Sequence, residues 1–152
     1  MNFKSGVIVS GLAALALAVV STAVADSQGT LNVKARLTAG QVVPRGTVKL
    51  TKGSGLFSGT LTMTDKGYRL TWRLTFSKLS GRATSGYIHQ GKPGKHGAAL
   101  FHLCSPCLSG AHGKAYASPG QVALMSAGRT YVTVRTLKNP AGEIRGQIAI
   151  AH

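Results

Sequence analysis

The chain has 152 residues, with 18 Lys and Arg against only 3 Asp and Glu, and a formal charge of +15. The three carboxylates, Asp26, Asp65 and Glu143, are too few and too scattered for paired-carboxylate or Ser-His-Asp chemistry, and a field of this sign attracts polyanions and repels cations. The alternative reading of the charge is that a scarcity of carboxylates merely suits an acidic exterior.

The N-terminus reads as a secretory signal peptide over residues 1–25. Lys4 is its only charge, residues 7–20 are apolar or small, and Ala23-Val24-Ala25 supplies a small-x-small cleavage site before Asp26. The apolar run is short of the roughly 20 residues of a membrane span, and an uncleaved anchor is the competing reading. No Cys lies near the site, which speaks against a lipoprotein. Residues 26–152 then form a single domain. Without Lys4 it carries 17 cations against 3 anions, a net +14.

From here on the pattern is alternation rich in Thr, Val, Ile and Tyr, broken by Gly, as in half-buried antiparallel strands. Leu31, Val33, Ala35 and Leu37 face in; Asn32, Lys34 and Arg36 face out. Val48 and Leu50 predict a short strand after the Pro44-Arg45-Gly46 turn. Phe57, Leu61 and Met63 face in, against Ser58, Thr60, Thr62 and Thr64. Asp65-Lys66-Gly67 is a hairpin connection. It leads into a second strand with Tyr68, Leu70, Trp72, Leu74 and Phe76 inward and Arg69, Thr71, Arg73 and Thr75 outward. Further strands are expected near 84–89, 98–104, 112–117, 129–137 and 143–151. Residues 119–127 fit either a strand or one helical turn, and Asn139-Pro140-Ala141-Gly142 is a turn. About seven to nine short strands at this spacing predict an all-β fold, a Greek-key β-sandwich.

The densest reactive group is His89, His96, His102, Cys104, Cys107 and His112. Three readings of the cysteines stay open. An oxidising compartment favours a local Cys104–Cys107 disulfide, since neither Cys has another partner. A zinc or copper site would use His89, His102, Cys104, Cys107 and His112. A thioredoxin-like redox pair needs a helix N-terminus, and Leu108-Ser109-Gly110 is poor helix material. Glu143 lies two residues from Arg145, so alternation puts both on one face of one strand. It reads as structural, with Arg145 as its hydrogen-bond partner and Arg135 brought near by a neighbouring strand, and a ligand-binding carboxylate is the alternative. Lys34, Arg36, Arg69, Arg73, Lys92 and Lys95 lie on outer faces or loops and are candidate anion contacts. The aromatics Tyr68, Trp72 and Phe76 face inward, which argues against specific nucleic-acid recognition by stacking.

Three blocks carry a family resemblance. Leu37-Thr38-Ala39-Gly40-Gln41-Val42-Val43-Pro44 resembles the opening block Leu-x-Gly-x-Gln-Glu-Val-Pro of the CHRD domain, the module named after chordin. Tyr87-Ile88-His89-Gln90-Gly91 resembles its central His-Ile-His-Gly block. Tyr131 to Thr136, followed by Gly142-Glu143-Ile144-Arg145-Gly146-Gln147, resembles its Tyr-Val-Asn-Val-His-Thr strand and its Gly-Glu-Ile-Arg-Gly-Gln ending. Gly142, Glu143, Arg145 and Gly146 are the motif residues expected to be structural. The chain departs from the pattern at Val42, in place of Glu, and at Tyr87 and Arg135, each in place of His.

The resemblance implies an immunoglobulin-like sandwich with a distant likeness to copper–zinc superoxide dismutases, and no defined enzyme activity. In animals the module belongs to an extracellular protein that binds growth-factor ligands, a function that fold likeness alone does not transfer. The resulting expectation is a non-enzymatic binding or structural module without a cofactor, secreted, periplasmic or envelope-associated. Its partners would be an anionic envelope or matrix polymer or another extracellular protein, with no specific nucleic acid and no transmembrane span in the mature chain. The alternative is a zinc- or copper-binding extracellular protein with a redox role.

Overall fold

The computed structural model describes residues 29–48 and 51–151, so the expected signal peptide and Leu50 lie outside the described residues. The fold is all-β with one short helix. The strands are β1 (Thr30–Thr38), β2 (Ser54–Thr64), β3 (Gly67–Ser77), β4 (Ala83–Gln90), β5 (Ala99–Cys104), β6 (Ala111–Ala117), β7 (Thr130–Thr136), β8 (Ile144–Gln147) and β9 (Ala149–Ala151). The helix α1 (Pro119–Ser126) separates β6 from β7.

Alternation explains the strands. In β3, Leu70, Trp72 and Leu74 are buried while Arg69, Thr71 and Arg73 are exposed. β2 and β3 pair along their whole length, from Thr64 opposite Gly67 to Ser54 opposite Ser77. All strand pairs are antiparallel, in the order β5-β4-β7-β8-β1-β2-β3-β6, with β9 on β1. The two edges, β5 and β6, come near each other, so the sheet nearly closes into a barrel-like form. β1 is the joint. One side pairs fully with β2; the other meets β8 at Thr38 and β9 at Asn32, Val33 and Lys34. A single apolar cluster fills the interior, with Val33, Leu37, Phe57 and Trp72 from one half and Ile88, Val132, Val134 and Ile144 from the other.

Of the two alternatives for 119–127 the structure takes the helix, and it departs from the expected strands at Val48 and Ile148 and from the expected core at Met63. Residues 119–127 are helical because Ser118 caps α1: its hydroxyl accepts from Gln121 N at 3.2 Å while Gln121 Oε1 accepts from Ser118 N at 2.9 Å, with Pro119 in the first turn. Val48 is not in a strand. The expected strand over 143–151 is broken at Ile148, whose amide donates to Thr130 O at 2.9 Å. Met63 does not join the core: it sits beside the β2–β3 turn, at the end of the ladder, and is 53% exposed.

One polar group ties the connections together. Glu143, 0% exposed, precedes β8. Its carboxylate accepts from Thr51 Oγ1 (2.5 Å), Ser80 N (2.6 Å), Ser80 Oγ (2.7 Å), Thr136 Oγ1 (2.6 Å) and Asn139 Nδ2 (3.2 Å). These donors come from the β1–β2 and β3–β4 connections and from the end of β7 with the turn that follows it. Arg145 is not among them, contrary to the alternation argument. Glu143 lies in the bend before β8, so the strand's alternation does not govern its direction. Two motif glycines have local reasons. Gly142 has φ +137°, and a Cβ there would meet Thr133 Cγ2 at 2.7 Å. At Gly146 a Cβ would come within 2.5 Å of Arg36 O, where β8 closes on β1.

Burial raises the Glu143 pKa, but the bonds from Thr136, Thr51 and Ser80 outweigh it and hold the group at about 2, against an ordinary 4.5. That gap corresponds to about 3 kcal/mol of stability, present above pH 4.5 and lost as the pH falls towards 2. The chain has only 3 acidic residues, so acid unfolding should report this group with little background. Denaturant titrations across that window should show the loss in the native protein and a much flatter profile in Glu143→Gln. Equal slopes would mean that the carboxylate does not hold the fold. In the core, Trp72→Ala should lower the unfolding free energy by about 3–5 kcal/mol, read from the same titrations at neutral pH.

Candidate functional site

β7 sends Val132 and Val134 into the core, so Tyr131, Thr133 and Arg135 project from the opposite face. The register sets their neighbours. His89 of β4 lies opposite Tyr131, Tyr87 opposite Thr133, and Ser85 opposite Arg135. On the other flank, Gln147 of β8 lies opposite Tyr131 and Arg145 opposite Thr133. A polar outer face of this kind is ordinarily wet, yet Arg145 is 3% exposed, Thr133 4% and His89 7%.

Two loops roof it. The segment after β1 brings in Val42, which is buried. The loop from Gly91 to Gly97 folds over from β4, held at several points. Gly97 N donates to Tyr131 Oη at 3.2 Å, Arg145 Nη2 to Lys92 O at 3.1 Å, and Gln147 Nε2 to Gly91 O at 2.7 Å. Beneath the roof lies a cavity of about 230 Å³, lined by residues that include Val42, His89, His96, Thr133, Arg135 and Arg145.

The cavity is cationic. The Arg145 guanidinium lies 3.5 Å from the centre of the Tyr131 ring, and His89 stacks on that ring at 5.0 Å and 6°. Arg135 lies 4.8 Å over Tyr87. Neither arginine bonds a carboxylate among the described residues. His89 Nδ1 lies 3.1 Å from Gly97 O, and a carbonyl only accepts, so the proton belongs on Nδ1. Nε2 of the neutral ring is then a bare lone pair. Three buried polar atoms here have no hydrogen-bond partner among the described residues: His89 Nε2, Thr133 Oγ1 and Arg135 Nε. Burial lowers the His89 pKa from 6.5; the Gly97 carbonyl opposes this, and Arg135, Arg145 and His96 add to the lowering. Burial lowers that of Arg145 as well, with Tyr131 opposing.

Cys104 and Cys107 are joined in a disulfide across the turn after β5. The residues of the alternative metal set do not converge. His89 is under the roof, His102 is exposed on β5, and His112 is exposed on β6 opposite Arg73. Among the described residues no three His, Cys, Asp or Glu side chains group together.

The expected anion contacts split in two. Lys34, Arg36, Arg69 and Arg73 are exposed on the outer face of β1-β2-β3-β6. There the strands align Lys34, Ser58, Arg73 and His112 in one row and Asn32, Thr60, Thr71 and Lys114 in the next. Neither row contains an acid. Lys92 and Lys95 are exposed in the roof loop on the other half. The sequence reading missed Thr133, Tyr131 and Arg135 as site residues and gave Arg145 the wrong partner. The available signal was the polar row Tyr131-Thr133-Arg135 inside a strand otherwise made of valine.

A family model described as the CHRD domain matches residues 33–148. No curated protein and no solved structure matches the chain.

Proposed function

The chain belongs to the CHRD family, and we propose that it is an exported, non-enzymatic module that adheres to anionic extracellular or envelope polymers through the outer face of β1-β2-β3-β6. The observation that carries this is the face itself. Four strands present Lys34, Arg36, Arg69, Arg73 and Lys114 among Ser and Thr hydroxyls, in rows without a carboxylate. Charges fixed at strand spacing suit a repeating polyanion, and the hydroxyls suit its hydrogen-bonding groups.

The disulfide supports export, since such a bond is at home in an oxidising compartment. The same reading takes residues 1–25 as a cleaved signal peptide. It takes the two four-stranded halves as layers of an immunoglobulin-like Greek-key sandwich joined through β1, with the shared apolar cluster between them as support.

Intact-mass analysis of exported protein should give a chain starting at Asp26 that gains two hydrogens on reduction. A product retaining residues 1–25 would make the protein membrane-anchored instead.

Retention on an anionic polysaccharide or on isolated envelope should weaken steeply with salt, as the Debye length shrinks from about 10 Å at 0.1 M to about 3 Å at 1 M. Reversing Arg69 and Arg73 to Glu should weaken it further while leaving the folded signal of Trp72 unchanged. Retention indifferent to salt and to the reversal would rule out the electrostatic mode.

A further inference from the structure

The roofed cavity on the other half is a different kind of site from the flat basic face. Three of its polar groups, Arg145, Thr133 and His89, are buried, and Arg135 is half-buried. Tyr131 packs against both Arg145 and His89, fixing their planes, and its hydroxyl in turn accepts from the roof at Gly97. Arg145 uses Nη2 on Lys92 O and, at 3.5 Å, on Gln147 Oε1. None of its hydrogen bonds to described residues involves Nε or Nη1. A buried guanidinium without a counter-ion is costly to keep, and here a second one, Arg135, lines the same cavity. The orphaned Thr133 hydroxyl and Arg135 Nε lack an acceptor that a single oxyanion would supply, and His89 Nε2 lies with them as a further donor once it is protonated.

We propose that the cavity lined by Arg135, Arg145, Thr133 and His89 binds one small oxyanion, the carboxylate or phosphate group of an extracellular ligand. The guanidiniums contribute planar donor forks suited to carboxylate and phosphate oxygens, and Thr133 contributes a hydroxyl donor. His89 contributes a proton-dependent donor. Its Nδ1–H is committed to Gly97 O, so Nε2 donates only after taking up a second proton. The charged and titratable groups around it are Arg135 and Tyr131 on β7, Arg145 on β8, His96 in the roof and Tyr87 on its own strand. In the free protein burial disfavours the charged ring, and Arg135, Arg145 and His96 add to that. A bound anion reverses that balance, so binding draws a proton onto His89 and tightens as the pH falls.

This site does not depend on the polymer-binding face. Monomeric probes address the cavity, and polymer retention addresses the face, so either can fail alone. Calorimetric titration of the mature protein with sulfate, inorganic phosphate and glucuronate is the test. The expected result is saturable one-to-one binding with a Kd of about 1 mM or tighter for at least one probe. A preference for glucuronate assigns the site to carboxylates, and one for phosphate or sulfate to phosphate esters. Arg135→Gln should weaken binding about tenfold or more, and the near-isosteric Thr133→Val should weaken it as well. Lys66→Gln, which removes a charge at the β2–β3 turn, should leave it unchanged.

Val42→Glu supplies a second readout. It places a carboxylate in the cavity wall and should abolish binding by satisfying the arginines internally. Sulfate and glucuronate keep a constant charge between pH 5 and 8, so tighter binding at the acid end, with a matching shift of the His89 ring resonances, reports the proton uptake. Non-saturating binding, or equal losses in Lys66→Gln and Arg135→Gln, would reduce the site to general attraction by a basic protein and overturn the proposal. A flat pH profile would remove His89 from it.

Discussion

The fold turns on a buried carboxylate that is satisfied without an ion pair. Glu143 receives its five hydrogen bonds from hydroxyls, one backbone amide and one side-chain amide. Those donors reach it from three separate stretches of chain, so one residue fixes where both halves of the sheet begin and end. Gly142 permits this approach: it turns the chain into Glu143 with a positive φ, and a Cβ there would meet Thr133 Cγ2 at 2.7 Å. Had Glu143 paired with Arg145, the chain would have used its one core acid on its most buried cation. By turning Glu143 to neutral donors, the fold leaves Arg145 without a carboxylate partner among the described residues.

The surplus of positive charge is therefore expressed in two physically distinct ways. On β1-β2-β3-β6 the cations stand in water, where each contact with a polyanion is weak, screened by salt and additive over many sites. Under the roof loop the dielectric is lower and the donors are few and oriented, so a single anion meets less screening and a smaller reorganisation cost. The proposed binding would rest on avidity in the first arrangement and on selectivity in the second. The roof loop carries Lys92 and Lys95, both exposed, and places them near the cavity, where they add attraction at longer range.

Much of this was legible in the sequence. The β2–β3 hairpin and the inward row Leu70, Trp72, Leu74 follow from alternation alone, because a period of two has one solution when one face is buried. The disulfide was legible as the favoured reading, since the two cysteines are close in sequence and have no other partner. The capping pair Ser118 and Gln121 was present to be read, but the short apolar stretch after it suits strand and helix equally. The cavity was not legible, for it depends on register between strands distant in sequence. Nothing local places Arg145 beside Thr133 and His89 beside Tyr131. Burial on that outer face comes from loops at 39–43 and 91–97, whose course no periodicity encodes.

The departures from the CHRD pattern fall on this same face. The chain resembles a family pattern with His at the positions of Tyr87 and Arg135 and Glu at that of Val42. Here Arg135 lies over Tyr87, in the neighbouring register row to Thr133, and Val42 lines the cavity. Imidazoles and a carboxylate would make an environment tolerant of a cation. A tyrosine, a guanidinium and a valine reverse it: two ligand-type side chains are gone, a fixed positive charge is added, and the one nearby negative charge is removed. A divalent ion brought beside His89 would face Arg135 and Arg145 with no carboxylate in the cavity lining to offset them, and two like charges a few ångströms apart at low dielectric repel by several kcal/mol. The substitutions at 42 and 135 act in one electrostatic direction, the one at 87 takes away an imidazole without adding charge, and together they favour an anion.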